Sequence, residues 1–516
     1  MRKVNQLKSG AILSYISLVL SNVISIVYTP IMIRVLGQSE YGLFNLSNSI
    51  IGYLGLFNFG LGNAIVKYTA KYRAIGDKEG QYKLSGLFFI IYSIIAVIIL
   101  LAGGVLILNI DSIYSNTLTI TELNKMRILM TLMIFNMAIS FPFSIFSGLI
   151  NAHERFIFSK VMDILRAILN PFIMLPLLLM GYKSITMTIA STILNLGFIA
   201  LNVYYCFKIL KVKLIFKNQD LSILREIIGY SFFIFINMIV DKIYWSTDQL
   251  ILGAVSGTVS VAIYTVGSTF NSYYMSFSTA ISDVFLPKIT TMVTTSSNDK
   301  QLSDLFIRTG RIQFIVISCI LTGFILIGKE FINLWAGKDY AEAYYIALVV
   351  MIPLTIPLIQ NIGISILQAK NMHRFRSKVY ILIAIINLIM SIPMAKLYGG
   401  FGAALCTGIS LIIGNVIVMN IYYYKKVRID IICFWKEIFK MIIPVIFSVF
   451  IGGIIIKYIN ISGYIGILIK GSTIMIIFSV IMWNWGMNYY EKQLFGQPFK
   501  ILLNKFKVKI LRGSSI

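Results

Sequence analysis

Residues 85–108 read SGLFFIIYSIIAVIILLAGGVLIL, a stretch without a single charge or proline. About 20 predominantly apolar residues suffice for an α-helix to cross the ~30 Å hydrocarbon core of a bilayer. The run is continuous rather than alternating, which argues against a strand of a membrane barrel. Comparable runs recur on both sides of it over the whole chain. Of the 516 residues 58% are hydrophobic and 13% charged, whereas soluble domains carry about 25% charged residues. The mean hydropathy is +0.84. These figures exclude a soluble enzyme and define an all-α polytopic membrane protein.

About fourteen spanning segments are expected, at 11–34, 41–62, 85–108, 126–150, 161–180, 184–207, 227–252, 260–285, 309–328, 343–368, 379–396, 402–424, 438–458 and 464–486. Helix is the expected form throughout, because lipid offers no partner to an unpaired backbone group. The apolar run from Ala11 to Val35 exceeds a signal-peptide core and is expected to remain as the first helix.

The net charge of +25 comes from 45 Lys+Arg against 20 Asp+Glu. In a soluble chain this excess would suggest nucleic acid. Here the basic residues gather in alternate connections. Lys67, Lys71, Arg73, Lys78 and Lys83 share one, and Lys208, Lys211, Lys213, Lys217 and Arg225 share another. That is the positive-inside pattern, with both termini on the cytoplasmic side. It leaves no nucleic-acid partner to invoke. The tail from Phe499 to Arg512 interleaves basic and apolar residues, a composition suited to anionic lipid.

Four cysteines and two histidines fall at no metal-ligand spacing. No metal and no resident cofactor is expected. Phosphate-binding, nucleophile-elbow and zinc-protease motifs are absent. His153 and His373 fall in loops and read as solvated residues.

The chain contains an internal repeat. Ser159-Lys160-Val161 matches Ser377-Lys378-Val379 at an offset of 218, and YGLFNL at 41–46 resembles VAIYTV at 261–266 at an offset of 220. Two six-helix lobes follow, at 1–215 and 216–430, with a helix pair and basic tail at 431–516. Six is even, so the lobes repeat in parallel about an axis along the membrane normal. Duplicated lobes of this kind typically rock about a substrate site, which points to a transporter and not an enzyme.

Residues 29–46 read TPIMIRVLGQSEYGLFNL. In this stretch Arg34, Leu36, Gly37, Glu40, Tyr41, Gly42, Leu43 and Phe44 resemble the first-helix signature of Wzx-type polysaccharide flippases. These belong to the MOP superfamily, with MATE exporters and MurJ-like lipid II flippases. The resemblance implies a bacterial cytoplasmic-membrane protein that moves an undecaprenyl-diphosphate-linked oligosaccharide to the outer leaflet for surface polysaccharide biosynthesis. Membrane lipids, a polysaccharide polymerase and glycosyltransferases are the partners it implies. Two alternatives are a MATE-like ion-coupled small-molecule exporter and a MurJ-like lipid II flippase.

Ionisable residues inside a span are costly, and each is a functional candidate. Asp163 and Arg166 stand at i,i+3 near the cytoplasmic end of the fifth segment. One reading is a local ion pair; the other has Arg166 meeting a diphosphate, oriented by Asp163. In the seventh segment Asp241, Trp245 and Asp248 share one helical face, and Lys242 adjoins them. Asn22, Ile26 and Thr29 are their counterparts in the first segment. The two stripes are expected to face a central cleft, with packing between helices as the alternative. Arg34 and Lys242 are candidate headgroup contacts. Asp241 or Asp248 is a candidate for H⁺ or Na⁺ coupling, since burial raises a carboxyl pKa. Asn63 and Asp283, at an offset of 220, are expected at the inner mouth.

Overall fold

The computed structural model describes residues 6–217, 222–282, 289, 291–292, 299–370 and 372–497. Asp283 and the tail from Phe499 to Arg512 lie outside the described residues, as does the side chain of His373.

The principal helices are α1 (Gln6–Leu36), α2 (Gln38–Leu54), α3 (Leu61–Ala74), α4 (Lys78–Leu108), α5 (Ile120–Ala152), α6 (Phe156–Leu179), α7 (Ser184–Tyr204), α8 (Ser222–Ser282), α9 (Asp299–Trp335), α10 (Ala343–Ile359), α11 (Ile362–Ala369), α12 (His373–Leu411), α13 (Ile431–Lys457) and α14 (Gly463–Ile481). No strand occurs among the described residues. Among the described residues, twelve helical stretches are long and apolar enough to cross a membrane.

Two of those stretches are hairpins. Within α8 the chain turns at Gly257, φ 80°. Across that turn Gln249 Nε2 donates to Thr265 Oγ1 at 3.2 Å and Tyr264 donates to Asp248 at 2.5 Å. Within α12 the turn is at Gly399, φ 56°. The two arms there come so close that a Cβ at Gly402 would meet the Met394 carbonyl. Counting each hairpin as two helices gives the fourteen crossings expected.

Local chemistry sets the helix starts. Asp77 accepts from the Gly80 amide at 2.8 Å, and Asp430 accepts from the Cys433 amide at 2.9 Å. Thr119 and Glu122 form a reciprocal capping box on α5. Several helices outrun their apolar segments. The expected span 309–328 is the middle of α9, which extends an extra turn or more at each end. The expected span 41–62 is broken by a 3₁₀ turn, Gly55–Asn58, and by left-handed residues Phe59 (φ 49°) and Gly60 (φ 73°).

The chain forms two compact units. One comprises Met1–Val266 with Tyr380–Thr407, the other Gly267–Val379 with Gly408–Ile516. Within the first unit the first arm of α8 (222–256) packs on α2. Leu46 lies so close to Gly253 that a Cβ there would sit 2.6 Å from it.

The repeat is visible in the backbone. Gly37 (φ 77°) and Gly257 (φ 80°) are 220 apart, and Gly181 (φ 88°) and Gly399 (φ 56°) are 218 apart. Phe158 stacks on Tyr205 at 3.8 Å, and Phe375 on Tyr422 at 4.0 Å, each pair shifted by 217.

In the second unit Arg311 of α9 is buried and joins three elements. Its guanidinium holds Glu491 through Nε (2.6 Å) and Nη2 (2.8 Å), Glu437 of α13 through Nη1 (2.9 Å), and the Gly486 carbonyl (3.0 Å). Glu491 is wholly buried.

His153 departs from the solvated loop residue expected of it. Nδ1 donates to the Leu149 carbonyl at 2.8 Å, and Nε2 meets Gln81 Nε2 at 3.2 Å. The loop is folded back on α4 and α5, which half-buries the ring.

Candidate functional site

Arg166 lies ten residues inside α6, ~15 Å along the helix axis at 1.5 Å per residue. The apolar run begins after the helix does, so hydropathy alone sets Arg166 nearer the helix end. Its guanidinium approaches Asn195 Oδ1 at 3.5 Å and lies over the Phe198 ring at 5.0 Å. Asn195 is held in turn by α5: its Nδ2 donates to Asn136 Oδ1 and Ser140 Oγ, both at 2.7 Å. Arg166, Asn195, Phe198 and Ser140 line a cavity of about 380 Å³ among α5, α6 and α7. Asp163 lines it too, but its carboxylate bonds Lys160 Nζ at 3.1 Å. The expected Asp163–Arg166 pair is therefore replaced by an Asp163–Lys160 pair one turn earlier. A guanidinium with one edge anchored and one face on an aromatic ring is oriented for a planar or phosphate anion. Amides and hydroxyls around it suit sugar hydroxyls.

Asn195, Phe198 and Asn202 are not among the ionisable candidates that the sequence offers. Their i, i+3, i+7 spacing on α7 is a legible one-face pattern, but amides carry no charge and did not register.

A second cavity, of about 430 Å³, lies between α2 and α8 and is lined by Asp241, Lys242 and Trp245 with Gly52 and Gly55. Lys242 Nζ donates to Ser246 Oγ at 3.3 Å. A Cβ at Gly52 would stand 2.5 Å from that ammonium, so glycine makes room for the lysine. Tyr53 of α2 holds the same helix, donating to the Lys242 carbonyl at 3.2 Å and meeting Thr247 at 2.5 Å.

Asp248 is separated from Asp241 and Trp245, although the three share a face. Seven residues of rise place it ~10 Å beyond Asp241, where the second arm of α8 and the α12 hairpin cover that face. It is buried and accepts from Tyr264 at 2.5 Å and Thr407 at 2.8 Å. Asn387 donates to Thr407 at 3.3 Å, and Ser391 to Asn387 Oδ1 at 3.3 Å. The result is a buried carboxylate within a network of neutral oxygen-bearing side chains. Asn22 is half-buried and Arg34 exposed on α1; neither lines the two cavities.

The signature residues form a tight junction at the start of α2. Leu36 and Tyr41 are buried, and Gly37 makes the turn. Glu40 is buried, bonding Lys125 at 2.6 Å and also Ser184. A Cβ at Gly42 would fall 1.8 Å from the Thr258 carbonyl oxygen. Thr258 donates to Glu122 at 2.9 Å, as Ser39 does at 2.5 Å. The motif thus binds α2 to α5 and to the α8 turn.

Fourteen crossings in a duplicated six-helix plan, with polar cavities inside, define a polytopic helical membrane protein of repeated plan. Residues 7–293, more than half of the chain, match the polysaccharide biosynthesis protein family, and the chain belongs to that family. An Escherichia coli (strain K12) protein provisionally named as an O-antigen transporter is 21% identical over 386 residues, covering 73% of this chain and 87% of that protein. Among solved structures, lipid II flippase MurJ in an inward closed conformation aligns with a TM-score of 0.69 at 15% identity, over 92% of this chain and 98% of MurJ. An inward-facing multidrug resistance MATE transporter aligns at 0.57 with 14% identity, over 80% of this chain and 99% of the transporter.

Proposed function

We propose that this protein is a flippase for an undecaprenyl-diphosphate-linked oligosaccharide. It carries its substrate from the cytoplasmic to the outer leaflet of a bacterial cytoplasmic membrane by alternating access, for assembly of a surface polysaccharide. Both termini are cytoplasmic in this reading. Glycosyltransferases supply the substrate and a polymerase consumes the product. The observation that carries the proposal is the Arg166–Asn195–Phe198 cavity. Intramembrane charge is expensive and is kept for polar cargo. Here a cation sits among amides and hydroxyls, the chemistry a glycosyl diphosphate needs. Lys242 and Trp245 offer a second cationic and aromatic surface on α8.

Asp248 is the coupling group in this scheme. Its surroundings supply hydroxyl and amide oxygens from Tyr264, Thr407, Asn387 and Ser391, a hard donor set for Na⁺ or a proton relay. Asp241, being exposed, is the weaker candidate.

The test is mass spectrometry of polyprenyl-linked intermediates in cells depleted of the protein, with a lectin- or protease-accessibility assay for the leaflet they occupy. The expected result is a completed lipid-linked oligosaccharide accumulating in the inner leaflet, reversed by wild type and not by Arg166→Ala. Accumulated lipid II would make the chain a lipid II flippase. Unchanged pools and surface glycan in cells without a second exporter would leave small-molecule export as the better reading.

A further inference from the structure

The break between α2 and α3 creates a feature that the transport scheme does not use. Phe59 and Gly60 turn the chain in the left-handed region. Gly60 seats it against α8 so closely that a Cβ would lie 2.7 Å from Ile234 Cγ2. The Phe59 ring packs on Phe235 with centroids 4.7 Å apart. Beside this break runs an apolar groove of about 460 Å³. Phe59, Ile94, Ile95, Ile227, Ile228 and Phe232 form its walls. Ile94, Ile228 and Phe232 are more than half exposed, so the mouth opens to lipid. On α8 the groove extends from Leu224 to Phe235, which is ~16 Å of helix. That is about half of the ~30 Å hydrocarbon core, the depth of one leaflet.

Two observations give the occupant a chemistry. The first is Ser231, the groove's polar side chain. It is buried, and its hydroxyl has no hydrogen-bond partner, although serine in a helix ordinarily donates to a carbonyl one turn back. The second is the charge at one end. Lys67 Nζ stands 4.1 Å from the centroid of Tyr230, and Lys71 Nζ lies 3.9 Å from Glu226 with both side chains more than half exposed. Arg225 is exposed beside them. Three cations against Glu226 leave that end positive.

We propose that this groove is a binding site for an anionic glycerophospholipid of the leaflet on the basic side. One acyl chain lies along the groove, the Ser231 hydroxyl donates to an ester carbonyl, and Lys67, Lys71 and Arg225 hold the phosphate. An isoprenoid phosphate would match the apolar wall and the charge, but it has no ester for Ser231.

The experiment uses the full chain reconstituted with phosphatidylglycerol, phosphatidylethanolamine or undecaprenyl phosphate, followed by native mass spectrometry of retained lipid. Phosphatidylglycerol should remain as one molecule per chain in preference to the other two. Lys67→Gln/Lys71→Gln should reduce retention about 30-fold, at roughly a factor of five per lysine near a lipid surface. Ile228→Trp, at the exposed mouth, should abolish it. Leu101→Trp, on a lipid-facing position of α4 away from the groove, should not. Equal retention of phosphatidylethanolamine, or preference for undecaprenyl phosphate, overturns the proposal. As a check independent of the variants, phosphatidylglycerol with a photoreactive acyl chain should label wild-type peptides spanning 91–95 and 224–235. Labelling confined to other segments also overturns it. Neither readout depends on transport.

Discussion

Gly37 and Gly42 stand five residues apart and are glycine for different reasons. Gly37 has open space around its Cα but adopts φ 77°, ψ 168°, a region nearly closed to other residues. Gly42 is helical, and what it lacks is room, since the Thr258 carbonyl occupies the place of a Cβ. Gly37→Ala should cost about 1–3 kcal/mol as backbone strain. Gly42→Val must instead part α2 from the α8 turn. It should lower the thermal midpoint in detergent by more than Gly37→Ala does, and Thr258→Ala should not rescue it because the obstructing atom belongs to the backbone. Arg166 shows how far single residues were legible. Its charge inside a span marked it in the sequence, but its partner did not follow from spacing. Lys160 captured Asp163, and the contact that orients Arg166 comes from an asparagine on another helix.

At the scale of elements, the apolar runs located the helices and missed their ends. Helix ends are built from polar and capping residues that hydropathy discounts, as at the start of α9. The α2–α3 break was hidden because Phe59 and Leu61 are as apolar as a helix core. The loop after α5 was also misread: one histidine among polar residues looks solvated until its chain folds back. Burial, with Arg73 and Arg155 nearby, pushes the His153 pKa down, against a weaker opposing pull from its bond to Leu149. The unfolded chain therefore takes up the proton first as pH falls through the usual histidine value near 6.5, and folded stability is lost across that window. His153→Gln should flatten the fall in thermal midpoint between about pH 7 and 5.5. A larger effect is expected where Arg311 ties α9 to α13 and to Glu491. Arg311→Met leaves Glu491 buried without its cation, at a cost of about 3–5 kcal/mol. Adding Glu491→Gln should restore part of the loss, as read by thermal shift and by proteolysis of the segment after Gly486.

Over the whole molecule, the duplicated plan was legible from matches of a few residues at a constant offset. Matched glycine turns and matched ring stacks show why the offset is constant: each repeat reverses direction at the same places. Ion coupling belongs to this scale, because it concerns a cycle and not a contact. Asp248→Asn should keep the fold, since an amide can still accept from Tyr264 and Thr407; under the proposed coupling scheme it should also remove a dependence of transport on pH or Na⁺. Transport that keeps its ion dependence in the variant would transfer the role to Asp241. The Asp248 network was invisible to one-dimensional reading, because Thr407, Asn387 and Ser391 are ordinary polar residues until the α12 hairpin brings them to α8.

The glycine turns at Gly257 and Gly399 also bear on what the protein presents to its surroundings. Where α8 and α12 reverse, each turn is centred on one non-helical residue, so there is little slack chain to cut, decorate or grasp. Proteases, antibodies and glycosylating enzymes all need several residues of extended backbone, and at these two tips they would meet closed helix ends. An epitope tag or reporter inserted at either glycine would have to unwind both arms to be accommodated.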